Sequence, residues 1–272
     1  MGRGGRVLKL LKKLLKEATK STELVFSKAF PDENSKFDIH DGVILGLFED
    51  MIKKIESLVF LIDNEKFAST DSITRNIMEN YVYLRTIFSN DYKLYTRSYF
   101  ASIKLKETKD YKKIISQDKT GNEIRNKIGT SISDLKKLVD FENPDDRIQD
   151  IKDRYSDVFN LRKENQNWYN LDGKTKNFEQ LCIKNNLIAE YELAYRILSK
   201  EVHAMDIFKR FDIYENLVHL LEDSKDTKML IAIVSKFLLD TIESLYQFYN
   251  LRDELKKFKT LLKLNYRYMK IE

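Results

Sequence analysis

Only eight glycines and two prolines occur among the 272 residues of this chain. These two residues supply most tight turns and helix breaks, so a chain with so few of them favours long helices joined by short loops over a many-stranded sheet. Apolar residues, at 42%, provide enough material for a core and exclude a disordered chain. No alternation of apolar and polar residues is regular enough to indicate a strand. The sequence therefore predicts an all-α fold.

Residues 7–29 form the clearest amphipathic pattern. At 100° per residue, the apolar side chains from Val7 to Ala18 fall within an arc of about 160°, and lysines occupy the opposite arc. We expect this basic amphipathic helix, within residues 1–30, to precede a single helical domain over 31–272. Two uses of its apolar stripe stay open: packing against the body or a second subunit, or lying on an anionic membrane surface.

Helical spacing of apolar residues predicts further helices along the chain. The first of these covers about 43–63. The next begins at the N-cap candidates Ser69 and Thr70 and runs to about Ser89.

The middle of the chain, 104–164, is charge-dense and has narrow apolar stripes. We expect an exposed helical hairpin there, in which Asn143 caps a helix that starts with Pro144. A loop containing the only tryptophan, Trp168, follows. The last three expected helices cover 176–186, 187–209 and 226–262.

The net charge of +5 is concentrated at the two ends of the chain. Residues 1–30 contain eight Lys or Arg against two Glu, and residues 248–272 contain seven against three acidic residues. Either end can contact an anionic partner such as nucleic acid or a membrane surface. Solvated helix faces would explain the same charges without any partner.

A cytoplasmic protein is expected from the cysteine content and the hydropathy. The single cysteine, Cys182, excludes an internal disulfide framework and fits a reducing compartment. The most apolar stretch, 229–249, contains Lys236, Asp240 and Glu243, which the centre of a bilayer would penalise. Lysines also interrupt the first apolar stretch too often for a signal peptide.

One expected helix carries a polar stripe. In and just before YRILSKEVHA, residues 195–204, the side chains of Glu192, Arg196, Ser199 and His203 fall within about 60° of one another. Apolar residues cover most of the remaining circumference, so the helix should be largely buried. Because an unpaired buried polar group costs about 1–3 kcal/mol, the stripe should face a wet cleft or polar partners.

A second polar stripe offers such partners. Within 71–88, the side chains of Arg75, Glu79, Tyr83 and two smaller residues fall within about 80° of one another. One interpretation is structural: ion pairs along each stripe hold the two helices in register and do nothing more.

The alternative interpretation is catalytic. Histidine exchanges a proton near neutral pH, and a guanidinium matches the paired oxygens of a phosphate. An Arg and a His on one helix face therefore suit phosphodiester cleavage by general acid–base catalysis with charge stabilisation. On this interpretation Arg75 and Arg196 stabilise phosphate charge, His203 transfers the proton, and Glu79 and Ser199 orient the others.

Three motifs give the chain a resemblance to known helical proteins. They are SITRNIME at 72–79, NWYN at 167–170 and YELAYRILSKEVH at 191–203. The last motif also matches the loose R-x(4–6)-H spacing of the HEPN superfamily. Over roughly 40–205 the chain resembles a bacterial domain family of unknown function with a HEPN-like helical fold.

The resemblance implies a HEPN-like helical bundle and a set of functional expectations. Many HEPN proteins are metal-independent ribonucleases that pair as dimers with two copies of the motif facing each other. It therefore implies an endoribonuclease acting on RNA, a homodimer, and a role as a toxin or in antiphage defence. Active HEPN nucleases usually carry Asn, Asp or His directly after the Arg, and Ile197 departs from that pattern.

Other chemistries have less support. The DGKT at 172–175 lacks the upstream glycine of a phosphate-binding loop, and Glu215 and His219 have no second copy to complete a metal site. We therefore expect no cofactor and no metal. Two hypotheses stay open: a HEPN-type ribonuclease, or a non-catalytic helical module that binds a protein or nucleic acid. Contact of residues 7–29 with a protein partner or an anionic membrane could modulate either.

Overall fold

The computed structural model of the chain describes residues 3–32, 34–198, 211–214, 217–220 and 227–266. By their contacts, the described residues separate into two compact units. The first comprises the described residues up to Asn90 and from Glu179 onward, and the second comprises Asp91–Phe178.

The regular secondary structure of the described residues is almost entirely helical, as the sequence predicts. A π-helical segment, Tyr191–Arg196, continues from one of the helices, and none of the described helices combines the length and apolar character needed to cross a bilayer. The two strands pair antiparallel as a short hairpin that the sequence did not indicate. The elements in chain order are α1 (Arg3–Ala29), α2 (Ile39–Asp63), α3 (Thr70–Phe88), α4 (Tyr92–Ile115), α5 (Lys119–Ile128), α6 (Ile132–Lys136), α7 (Pro144–Arg154), α8 (Ser156–Phe159), α9 (Phe178–Lys184), α10 (Ile188–Glu190), β1 (Phe211–Tyr214), β2 (Leu217–Leu220), α11 (Lys228–Phe248) and α12 (Arg252–Tyr266).

The apolar face of α1 is part of the core of the first unit. This helix packs against α2 and α11. Leu11, Leu14 and Val25 are buried, while Lys9 and Lys16 on the opposite face are exposed. Because its apolar stripe is already covered by the chain itself, α1 presents a basic face to solvent.

The helices α2 and α3 form the centre of the first unit. A capping box starts α2, in which the Asp38 N–H donates to the Asp41 carboxylate at 3.0 Å. Ser69 directly precedes α3 as predicted, but its φ of 84° is left-handed and its side chain makes no capping bond. A capping side chain normally needs an extended backbone at that residue. Buried Asn80 ties the two helices together by donating to the carbonyl oxygen of Leu47 at 3.0 Å.

The second unit is organised around α4, which packs against α5, α7 and α8. It contains the stretch 104–164 that was expected as an exposed hairpin. The prediction for α7 is confirmed: Asn143 accepts a hydrogen bond from the N–H of Asp145 at 2.9 Å, and Pro144 is the first helical residue. The core of this unit consists of Ala101, Leu105, Ile151, Tyr155 and Val158.

A buried arginine holds the loop that follows α8. Arg162 is 3% exposed, and it donates to the hydroxyls of Ser98 and Ser102 and to two carbonyl oxygens of the loop. Burial lowers the pKa of Arg162 to about 10, so the guanidinium stays charged at neutral pH. In the same loop, the Trp168 ring meets Tyr99 edge-on at 5.1 Å between centroids. The tryptophan therefore pins the loop to α4.

The predicted helix over 226–262 is two helices, so that prediction was wrong. After α11, Asn250 adopts a φ of 55°, a left-handed conformation that Asn tolerates better than most residues. The N–H of Leu251 then donates back to the carbonyl oxygen of Tyr246 at 2.8 Å, and α12 begins one residue later. The expected helix over 187–209 begins as α10, and its part beyond residue 198 lies outside the described residues.

Candidate functional site

The segment that carries the predicted motif departs from α-helical geometry. Tyr191–Arg196 is π-helical, and the N–H of Ile197 donates to the carbonyl oxygen of Glu192 at 3.2 Å. This bond spans five residues instead of four, so the positions after the turn no longer follow steps of 100°. Single π-helical turns are rare and occur frequently at functional sites.

Tyr195 is the side chain of this segment that meets the polar side of α3. Nη2 of Arg75 donates to the Tyr195 hydroxyl at 2.5 Å, and the guanidinium carbon lies 4.1 Å from the ring centre. The Tyr191 ring stacks on the Tyr195 ring with centroids 5.3 Å apart. Burial raises the pKa of Tyr195, against the opposing effect of the Arg75 hydrogen bond. The phenol therefore stays protonated at neutral pH beneath a cation.

Arg75 also faces Glu79, one turn further along α3. Nε of Arg75 lies 3.8 Å from Oε1 of Glu79, and it makes no hydrogen bond within the described part of the chain. The two side chains are 21% and 28% exposed. Most of the Arg75 guanidinium therefore contacts other groups of the protein, and only its Nε–H has no hydrogen-bond acceptor among the described residues.

Arg196 lies on the outside of the π-helical segment. Its Nη1 donates to the two carboxylate oxygens of Glu192 at 3.1 and 3.2 Å. The Arg196 side chain is 70% exposed, and exposed pairs of this kind contribute little to stability. A phosphate can therefore compete with Glu192 for this guanidinium at small cost.

A second polar cluster ties α3 and α10 to α11. Arg85 donates to the Tyr81 hydroxyl at 3.1 Å, and that hydroxyl donates to Asp240 at 3.0 Å. Lys236 donates to Glu190 at 2.8 Å. Burial by itself would raise the pKa of Glu190, but the hydrogen bond and charge of Lys236 outweigh it and lower the pKa. These contacts fix the start of the motif segment against the body of the unit.

The structure describes three of the five predicted site residues. The described members are Arg75, Glu79 and Arg196, and the two that lie outside the described residues are Ser199 and His203. Of the described members, Arg75 and Glu79 lie next to each other, as the α-helical spacing predicts. Arg196 pairs within its own segment, with Glu192.

Sequence reasoning missed the role of Tyr195, which was not among the predicted site residues. The available signal was the spacing of Tyr191 and Tyr195, because residues four apart share one side of a helix. Two tyrosines on one side, opposite a helix that carries an arginine, are typical partners for a cation–π contact.

Cys182 is a buried free cysteine near this region. Burial, followed by the negative charge of Glu190, raises the pKa of its thiol to about 12. A neutral buried thiol is neither a nucleophile nor a metal ligand at neutral pH. Within the described ranges, no three His, Cys, Asp or Glu side chains are grouped so that they could hold a metal ion.

Comparison with known proteins gives one match. The model of a protein family described as a family of unknown function (DUF5677) matches residues 41–228. That range includes α3 and the π-helical segment and stops at the first residue of α11. No curated protein and no solved structure matches the chain.

Proposed function

The chain belongs to the DUF5677 family, a family of unknown function, and from that premise we propose that it cleaves RNA without a metal ion, in a HEPN-like helical bundle. The observation that carries the proposal is the exposed guanidinium of Arg196, displayed on a π-helical turn within the motif that continues to His203. Its weak pairing with Glu192 leaves it available to a phosphate.

The proposed reaction is an internal transfer at phosphorus. The ribose 2′-oxygen attacks phosphorus, the bond from phosphorus to the 5′-oxygen breaks, and the proton of the 2′-hydroxyl reaches the 5′-oxygen by way of His203. The products are a 2′,3′-cyclic phosphate and a 5′-hydroxyl end. Arg196 stabilises the negative charge that builds on the phosphate oxygens, and Ser199 orients the imidazole.

In this proposal Arg75 and Glu79 act on the reaction through Tyr195. Arg75 holds the Tyr195 ring from α3, and Tyr195 directly precedes Arg196. A braced backbone at that residue keeps the guanidinium in one place, which charge stabilisation requires. Arg75 and Glu79 are therefore positioning residues.

The proposal includes a homodimer in the cytoplasm that serves as a toxin or in antiphage defence. Apolar side chains of α9, of α10 and of the segment around Arg196 are exposed in the single chain, and burying them against a second copy would be favourable. These side chains are Ile183, Ile188, Leu193 and Ile197. Such a contact would bring the two copies of the motif together.

The test is incubation of the full chain with end-labelled RNA in the presence of EDTA. We expect fragments that end in 2′,3′-cyclic phosphate, and we expect Arg196→Ala and His203→Ala to slow cleavage by roughly 100-fold. Arg154→Ala is the matched control, because Arg154 is also an exposed arginine paired four residues back, with Asp150 at 3.5 Å. Absence of cleavage, or an unchanged rate in His203→Ala, would refute the proposal.

A non-catalytic binding module is the second candidate, and the pairing of the site's charges favours it. Arg75 is held by Tyr195 and faces Glu79, so this arginine already has a structural role that needs no RNA. If the protein is a non-catalytic binding module, Arg75→Ala should lower the free energy of unfolding. The wild type should then cleave no RNA under any condition. Urea unfolding of that variant beside the cleavage assay separates the two candidates.

A further inference from the structure

The exposed side of α12 carries a row of four cations, which we name the α12 ridge. Its members follow one another at intervals of four, three and four residues, so they share one face of the helix. At 1.5 Å per residue the row is about 16 Å long. Together with Leu255 and Thr260 of the same helix, the row borders an open surface depression of about 400 Å³. The ridge consists of Arg252, Lys256, Lys259 and Lys263.

The charge of the ridge is only partly neutralised by the protein. Lys259 lies 3.4 Å from a carboxylate oxygen of Glu243 on α11. Lys256 and Lys263 form no ion pair with the described residues, and both are exposed. Glu254 of α12 does not neutralise the ridge, because it is buried and pairs with Lys28 of α1 at 2.5 Å.

The ridge is a fixed surface because the opposite side of α12 is packed. Leu251 and Phe258 are buried, and the Phe258 ring lies 6.2 Å from the ring of Tyr246 on α11. Two further leucines of α12, Leu261 and Leu264, are exposed, and at 100° per residue they lie outside the face that carries the ridge. Surface-lying membrane helices bury a continuous apolar face in the lipid, and the face of α12 that carries Phe258 is packed against the protein instead, which favours a polyanion in solution over a membrane.

We propose that the α12 ridge binds the sugar–phosphate backbone of single-stranded RNA. A row of exposed cations attracts a chain of phosphates, and positively charged surfaces of this kind bind the backbone of single strands without reading the bases. The proposal rests on the proposed function for the choice of RNA, and it adds a second contact, on a helix outside the matched range 41–228.

The experiment measures binding separately from cleavage. A short fluorescent single-stranded RNA is titrated into the full chain carrying His203→Ala, with EDTA present and at several salt concentrations. The test variant adds Arg252→Gln, Lys256→Gln and Lys263→Gln. The control variant adds Lys9→Gln, Lys16→Gln and Lys20→Gln, which removes the same charge from the exposed face of α1. Circular dichroism verifies that both variants retain their helical content.

We expect the ridge variant to bind the RNA about tenfold more weakly at low salt. We also expect its slope of log affinity against log salt to be shallower by about 2, because each phosphate contact on a single strand contributes about 0.7. The α1 control should change affinity much less. The proposal would be overturned if both variants lost the same affinity for RNA, or if the ridge variant kept the salt slope of the parent protein. Binding to anionic vesicles but not to RNA would also overturn it.

The same measurements distinguish the failure of each proposal. If the wild type cleaves RNA and the ridge variant binds it normally, the ridge proposal fails and the nuclease stands. If no cleavage is found but the ridge variant loses binding, the ridge stands as the RNA-binding surface of a non-catalytic module. A DNA of the same sequence, run in parallel, tells whether the ridge prefers RNA or accepts any single strand.

Discussion

At the residue scale, two glycines inside helices have opposite surroundings. A Cβ added at Gly46 in α2 would meet no atom within 4 Å. A Cβ added at Gly121 in α5 would overlap the carbonyl oxygen of Ser116 and lie 2.5 Å from its hydroxyl oxygen. The sequence does not distinguish the two residues by their surroundings. Gly46 lies in the helix predicted over 43–63, and Gly121 lies in the charge-dense helical stretch 104–164.

These surroundings predict opposite effects of the same substitution. Gly46→Ala should raise the free energy of unfolding by about 0.5–1 kcal/mol, because alanine restricts the unfolded chain and suits a helix interior. Gly121→Ala should lower it by about 1–3 kcal/mol, because the backbone of Ser116 cannot move aside without strain. Urea unfolding measures both, and Trp168 fluorescence follows the unit that contains Gly121. Stabilisation by both substitutions would contradict the structure.

At the element scale, single residues decide where helices end and how they turn. Local signals predicted the start of α7, because Asn143 and Pro144 act on the turn that directly follows them. The π-helical segment was not predictable in this way. Its Tyr195 is held by Arg75, which is 120 residues away in the sequence. A prediction from periodicity assumes the same rotation of 100° at every residue, so it cannot detect a wider, π-helical turn.

The break between α11 and α12 yields a prediction at this scale. Asn250→Ala should lower the free energy of unfolding by about 1 kcal/mol, because a Cβ without a compensating polar group is unfavourable at a φ of 55°. Asn250→Gly should be neutral or slightly stabilising, since glycine adopts this conformation freely. Thermal and urea unfolding of the two variants against wild type test this. A loss of stability in Asn250→Gly equal to that in Asn250→Ala would show that the side chain, not the backbone, matters.

At the scale of the whole molecule, carboxylates with lowered pKa values occur in both units. In the first unit the pKa of Asp50 is lowered by hydrogen bonds from Asn80 and Lys54, against the effect of burial, which would raise it. In the second, the pKa of Glu164 is lowered, mainly by its hydrogen bond from Lys152, and Lys109 is a second partner. A carboxyl group whose pKa is lower in the folded state stabilises the fold above its unfolded pKa, and that stabilisation is lost as the pH falls.

We predict that both units lose stability as the pH falls below the ordinary pKa of a carboxyl group, which for Glu is 4.5. For the second unit, Glu164→Gln should lower the urea midpoint at pH 7, and the difference from wild type should shrink as the pH falls through the lowered pKa of Glu164. Trp168 fluorescence provides the measurement. Glu107→Gln, which removes an exposed glutamate paired with Lys104, is the control. A difference that stays constant with pH would contradict this account.

The sequence by itself determined the helical class, the amphipathic first helix, and the element boundaries that depend on caps or proline. Those properties depend on interactions between residues that are within one or two helical turns of each other in the sequence. It also brought Arg75 and Glu79 together, because both lie on one helix.

Only the tertiary structure decided which side chain meets which across helices. It placed Tyr195 against Arg75, left Arg196 exposed, and buried Arg162 among hydroxyl and carbonyl oxygens, with no carboxylate partner among the described residues. The physical reason is that the contacts of Tyr195 and Arg162 depend on desolvation and hydrogen bonding between residues distant in the chain, and the exposure of Arg196 depends on which side of its segment packs against α3. Such energies exist only once the elements have packed, so no local pattern of residues can encode them.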